Sequence, residues 1–247
     1  MLLIVMAMPA FAADFKSGDE LIAAMHKKYD GKWYKTLTFK QITTTYKPDG
    51  TSSSETWYEA LNAPGKLRID FDPVDQGNGI LFADGTLISF KDGKMAGKRP
   101  FVHPLLVLGF DVYMQSVETT IAQLKAMKID MSVIHQDTWQ GKPVYVVGAK
   151  QGELNVPQFW IDKKELLFVR MLDLAGKDRK SVAETQFNKY VKVKGGGWVS
   201  AEVKFFTDGK PRTTEIYSDI QTGTKLDANL WDPEKWMTAD KTYFKKK

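Results

Sequence analysis

Turn signals constrain this chain more than any other feature. Asp84-Gly85, Asp92-Gly93 and Asp208-Gly209, with Pro48-Asp49-Gly50, Gln140-Gly141, Gly176-Lys177 and Gly195-Gly196-Gly197, fall at strand-like intervals. Asp-Gly pairs supply the left-handed residues that tight hairpins need. The segments between them are rich in Thr, Tyr, Phe, Ile and Val, residues that fit a pleated surface. Candidate strands lie at 33–46, 54–61, 66–72, 79–83, 86–91, 132–138, 143–149, 157–162, 166–174, 181–193, 198–206 and 212–220. About ten to twelve antiparallel strands joined by hairpins make one large sheet, which twists and curls on itself. The predicted fold class is mainly β.

Alternation assigns the faces. Leu67, Ile69 and Phe71 alternate with Lys66, Arg68, Asp70 and Asp72, and Val203 and Phe205 alternate with Glu202 and Lys204. One face is read as apolar and the other as solvated, with Arg68 facing solvent. An apolar concave face of this size needs a cover. Helical patterns supply candidates. Ser17-Gly18-Asp19-Glu20 is a capping box, followed by Leu21, Ile22, Met25 and Tyr29 at helical spacing, which predicts a helix over 18–30. In mid-chain, the apolar stretch from Pro104 to Met114 leads into a helix opened by Ser116-Val117-Glu118, with Val117, Ile121, Leu124 and Met127 on one stripe. This pair is read as a two-helix lid; the plain alternative is ordinary core packing with no cavity beneath.

Composition narrows the chemistry. The 247 residues hold no cysteine and three histidines, which excludes disulfides, thiol nucleophiles and thiolate metal sites. His26, His103 and His135 show no paired spacing, so no metal site is expected. Asp70, Asp72 and Asp75 lack the glycine and terminal glutamate of a calcium loop, and Gln76-Gly77-Asn78-Gly79 reads as a turn rather than a phosphate cradle. With no Gly-x-Ser-x-Gly elbow, P-loop or His-Glu-x-x-His, no catalytic residue and no cofactor is assigned. A hydrolase would require carboxylates clustered in the concave face, and none stands at recognisable spacing. A hydrophobic fraction of 43% with 26% charged residues is that of a soluble globular chain.

The N-terminus reads as a secretory signal. Leu2 to Met8 are apolar, and Ala10-Phe11-Ala12 places small residues where a signal peptidase reads, so cleavage is expected after Ala12. No Lys or Arg lies between Met1 and the apolar run, which points to a start codon further upstream. Residues 13–247 are then one exported, periplasmic domain. Export and the lack of a recognition motif argue against nucleic acid. The net charge of +5, with Lys245-Lys246-Lys247 at the end, is compatible with peripheral membrane contact at roughly 1 kcal/mol per basic residue, although a frayed, solvated tail is the preferred reading of the three lysines.

The segments 34–41, 62–68, 80–88 and 226–233 together resemble the outer-membrane lipoprotein-sorting family with its LolA/LolB-like fold. Tyr34-Lys35-Thr36-Leu37-Thr38-Phe39-Lys40-Gln41 is similar to that family's first strand, and Asn62-Ala63-Pro64-Gly65-Lys66-Leu67-Arg68 to its second hairpin. Ile80-Leu81-Phe82-Ala83-Asp84-Gly85-Thr86-Leu87-Ile88 resembles a further hairpin, and Leu226-Asp227-Ala228-Asn229-Leu230-Trp231-Asp232-Pro233 the closing segment. The resemblance implies a half-barrel of antiparallel strands under a helical lid, with a hydrophobic cavity for acyl chains. It departs at Ala63, where the lipoprotein carrier has a lid-locking arginine, and this bears on lipoprotein hand-over more than on lipid binding.

The expected function is a monomeric periplasmic carrier. Its ligands would be lipid or lipoprotein acyl chains, delivered to the outer membrane with an inner-membrane export complex as partner. Alternation and lid position nominate Leu67, Ile69, Phe71, Leu105, Leu106, Leu108 and Phe110 for the apolar cavity and lid, with Met114, Met127, Met131 and Met171 as further contributors. The competing class is an envelope interaction or sensor module on the same fold.

Overall fold

The structure is a computed structural model that describes residues 15–244. The signal read at 1–12 and the basic tail at 245–247 lie outside the described residues. Helix α1 (Gly18–Tyr29) begins where its capping pattern places it. Ser17 Oγ accepts the Glu20 N–H at 3.3 Å, and the Glu20 carboxylate reaches back to the Lys16 N–H at 2.8 Å. The buried stripe of Leu21, Ile22, Met25 and Tyr29 then faces the core.

Thirteen strands are present among the described residues, and all belong to one antiparallel sheet. Before the mid-chain helices come β1 (Thr36–Tyr46), β2 (Ser52–Asn62), β3 (Lys66–Phe71), β4 (Gly79–Ala83), β5 (Thr86–Lys91) and β6 (Lys94–Pro100). After α2 (Pro104–Gly109) and α3 (Val117–Ala126) come β7 (Ile134–Trp139), β8 (Lys142–Val147), β9 (Gln158–Asp162), β10 (Phe168–Ala175), β11 (Ser181–Lys192), β12 (Trp198–Thr207) and β13 (Lys210–Thr222). The sheet order is β6-β5-β4-β3-β2-β1-β13-β12-β11-β10-β9-β8-β7, so it is open, with β6 and β7 at its edges.

That order explains the lid. The two edge strands are consecutive in sequence, so the chain must travel from one edge of the sheet to the other between Pro100 and Ile134. It makes this crossing over the concave side as α2, a 3₁₀ turn at Asp111–Tyr113 and α3. The main core lies beneath: Leu37, Leu61, Val147, Phe159, Phe168 and Val203 from the sheet pack with Leu21, Leu108, Tyr113 and Leu124 from the helices.

Two expectations need correction. The strand count is 13, above the expected ten to twelve, because β6 carries no alternating pattern: all seven of its residues are exposed. The convex face is not uniformly solvated either. Arg68 and Asp70 are both 0% exposed, sealed under the C-terminal segment. There Trp236 stacks on Phe90 at 4.0 Å and covers the Arg68 guanidinium at 3.7 Å, while its indole N–H donates to the Gly77 carbonyl. Gly79 is required here, since a Cβ would meet the Trp236 ring at 2.8 Å and the Ile69 carbonyl at 2.2 Å. Glu202 is also buried, between Lys189 at 2.6 Å and Lys204 at 3.3 Å. At the far end of the convex face Arg170 is held between Trp139 and Trp160 and pairs with Glu184 at 2.7 Å.

Candidate functional site

A cavity of about 200 Å³ lies between the concave face and the lid. Strands β1 to β4 give it Phe39, Leu61, Leu67, Ile69 and Phe82; the lid gives His103, Leu105, Leu106 and Phe110; β11 and β12 give Phe187 and Phe205. Five of the seven nominated residues therefore line the cavity, Leu67 and Ile69 from the sheet side and Leu105, Leu106 and Phe110 from the lid. The other two do not. Phe71 packs against the wall residue Trp57 at 4.8 Å, and Leu108 points into the closed core with no exposure. None of the four methionines lines the cavity: Met131 and Met171 are core, with Met114 and Met127 packed beside it.

The start of α2 is capped and packs on the sheet through the His103 ring, edge-on to Phe82 at 4.8 Å, and the segment beyond α2 is hydrogen-bonded to a hairpin. His103 Nδ1 accepts the Leu105 N–H at 3.2 Å as the N-cap, and burial pushes its pKa down to about 4, so it stands neutral. Beyond α2, the Asp111 carboxylate accepts the Gly65 N–H at 3.0 Å, linking the lid to the β2–β3 hairpin one residue past Pro64. Burial raises the Asp111 pKa to about 7, with the Gly65 hydrogen bond working against the rise. Between these ties, Gly109 lets α2 approach the sheet, because a Cβ there would stand 2.7 Å from the Phe187 ring. Gly109→Val is expected to lift α2 from Phe187 and lower stability by ~1–3 kcal/mol, the cost of overpacking, measured by urea unfolding.

The cavity also holds polar groups that sequence reading missed. Glu59 of β2, Gln41 of β1, and Glu215 and Tyr217 of β13 all line it. β1 lies between the other two strands, pairing Gln41 with Trp57 and Tyr217, Phe39 with Glu59, and Thr43 with Glu215. Tyr217 stacks on Phe39 at 4.3 Å and donates its hydroxyl proton to Glu215 Oε2 at 2.9 Å. Gln41 Nε2 donates to Thr43 Oγ1 at 2.7 Å, leaving Gln41 Oε1 buried without a partner. Burial raises the Glu215 pKa to about 7 against the Tyr217 and Gln41 hydrogen bonds, and burial followed by the Glu215 charge raises Glu59 well above the usual carboxylate range. Two carboxyls thus face the concave cavity, contrary to the expectation of none. The available signal was Glu59 itself, which occupies the face that Trp57 and Leu61 share in β2.

No family model matches the sequence, and no curated protein matches it. Solved structures share its fold along most of its length. A DUF1329 family protein from Desulfovibrio piger superposes with a TM-score of 0.58 at 14% identity, covering 87% of this chain and 95% of that one. An outer-membrane lipoprotein-sorting protein domain from Vibrio parahaemolyticus gives 0.60 at 13% identity, covering 89% and 98%. A LolA superfamily protein from Nitrosomonas europaea gives 0.54 at 11% identity, covering 85% and 96%. At these identities the likeness is one of fold, and the resemblance read in the sequence holds at that level.

Proposed function

We propose that this chain is a non-catalytic envelope carrier. It takes up the apolar chain of a lipid or lipid-modified protein between the concave face and α2, and releases it toward the outer membrane. On this reading residues 1–12 are removed on export and residues 13–247 act in the periplasm as a monomeric domain. They receive cargo at an inner-membrane export complex and touch the acceptor membrane peripherally. One observation carries the reading: the lid's own Leu105, Leu106 and Phe110 close an apolar cavity, where ordinary core packing would have left none.

Size sets what fits. Small-molecule pockets run to about 300–1,000 Å³, so a cavity of about 200 Å³ holds the end of one chain in this closed state. Each buried methylene contributes about 0.8 kcal/mol, and association costs at least about 4 kcal/mol. More than about five methylenes must be buried before binding is favourable. A larger cargo requires α2 to swing out, breaking the Asp111–Gly65 bond. The expected result is that purified protein carries extractable lipid and binds a fluorescent long-chain probe, with Leu106→Asp abolishing uptake. A folded protein with no extractable lipid and no probe binding would overturn the carrier reading.

A further inference from the structure

We propose that the cavity's occupant is an amphiphile whose apolar chain carries an ammonium head, and that Glu59, Glu215 and Gln41 receive that head. The proposal rests on the carrier reading and names the chemistry of the cargo.

The polar wall is built almost entirely of acceptors in want of donors. Glu59 is 4% exposed, lines the cavity, and makes no hydrogen bond or ion pair among the described residues. Gln41 is 1% exposed, and its Oε1 has no partner. Among the described residues, Glu215 is served by Tyr217 and Gln41. No Lys or Arg lines the cavity, and the one basic group there, His103, is neutral with its Nδ1 already accepting from Leu105. A buried polar group without a partner costs about 1–3 kcal/mol. Leucine at positions 41 and 59 would serve a purely hydrocarbon cargo better.

Ligand head groups can be ranked against this wall. A carboxylate head adds a third acid beside Glu59 and Glu215. A hydroxyl offers one donor. A primary ammonium offers three donors and a positive charge, and charge-assisted bonds to carboxylates are about twice as strong as neutral ones. The aromatic residues Phe39, Trp57, Phe82 and Tyr217 line the same cavity, and aromatic rings attract a nearby cation. Burial favours the protonated form of both carboxyls, raising Glu215 to about 7 and Glu59 well above the usual carboxylate range. Entry of an ammonium displaces a proton, so affinity for it rises with pH. Around this pair lie Gln41 and Phe39 from β1, Trp57 from β2, Tyr217 from β13, Phe205 from β12 and neutral His103 from the lid, and the Tyr243 hydroxyl interacts electrostatically with Glu59.

The test compares dodecylammonium, dodecanol and dodecanoate below their micelle concentrations, by titration calorimetry on the full chain. At about pH 8 dodecylammonium is expected to bind at least about tenfold tighter than dodecanol, a difference of ~1.4 kcal/mol, with dodecanoate weakest. Near pH 6 that preference shrinks several-fold. Glu59→Gln and Glu215→Gln are near-isosteric and keep a polar group in place, so folding is retained; each is expected to bring the ratio of dodecylammonium to dodecanol affinity down to about one. Equal or tighter binding of dodecanoate or dodecanol by the unmodified protein overturns the proposal, as does a preference that survives both substitutions. In either case the carrier reading stands, whereas failure to bind any of the three amphiphiles removes both.

Discussion

Asp70→Ala lowers the free energy of unfolding by about 3–5 kcal/mol, the usual cost of stranding a buried charge, and does more damage than Arg68→Ala. The asymmetry comes from counting charges beneath the C-terminal segment. Asp70 accepts from Arg68 Nε at 2.7 Å and Arg68 Nη2 at 2.9 Å, from the Tyr243 hydroxyl at 3.0 Å, and pairs with Lys241 at 3.1 Å. One carboxylate thus serves two cations. Without it, Arg68 and Lys241 face each other with no counter-charge, and Arg68 keeps only the Trp236 carbonyl at 2.7 Å and the indole face. Without Arg68, Asp70 and Lys241 remain a balanced pair, and the loss is mainly of packing against Trp236. A drop of ~3–5 kcal/mol corresponds to roughly 10 °C in Tm for a chain of this size. Guanidinium unfolding followed by tryptophan fluorescence checks the ranking, and limited proteolysis near Leu226 checks whether the segment comes free. Replacing both partners by apolar residues of similar volume should recover much of the loss. An Asp70→Ala protein within about 1 kcal/mol of the parent would show that the convex seal is not what holds this end together.

The same residues mark the boundary of what the sequence could reveal. Hairpins were legible because their chemistry is local: Asp84 and Gly85, for example, adopt φ of 49° and 70°, as an Asp-Gly turn requires. The first helix was legible through its cap, and the lid through its apolar run between two blocks of strands. Arg68 and Asp70 were misread because alternation reports only which residues share a face. What covers that face is Trp236, Lys241 and Tyr243, roughly 170 residues away and in a segment with no periodicity. Strand β6 escaped because an edge strand exposed on both sides needs no apolar pattern, only β5 to pair with. In the cavity, five nominated apolar residues converged since alternation in β3 and the lid run were sufficient. Its polar wall was hidden, because Glu59 and Glu215 meet only through their shared neighbour β1. Strand β13 even inverts the hydropathy rule, with Glu215 turned inward and Ile216 40% exposed.

Thermal stability is expected to rise as pH falls from 8 toward 5, the opposite of what an ordinary set of surface carboxylates would give. Asp111 and Glu215, ordinarily near 3.8 and 4.5, titrate at about 7 in the folded chain, chiefly because both are buried. Between those values the native chain holds protons that the unfolded chain has lost. Their contribution is therefore complete below the unfolded values and disappears as pH rises through about 7. Glu59, raised by burial and by Glu215, acts in the same direction. His103 opposes them. Burial lowers it from 6.5 to about 4, so its contribution is present above 6.5 and is lost as pH falls toward 4. From pH 8 down to pH 6 each of the two carboxyls restores about 1.4 kcal/mol, one pH unit's worth, and His103 takes back somewhat under ~1 kcal/mol. The net gain of ~2 kcal/mol, before Glu59 is counted, raises Tm by roughly 4–8 °C. Asp49, Asp130, Asp208 and Asp227 are lowered from 3.8 by hydrogen bonds to their own turns, so their contributions fade only below that range. Melting curves from pH 5 to pH 8.5 measure the profile, and Glu215→Gln and Asp111→Asn should each flatten its alkaline limb. A profile that is flat or rises toward pH 8 would mean that the cavity carboxyls are not held out of water, and the closed lid over them would have to be abandoned with it.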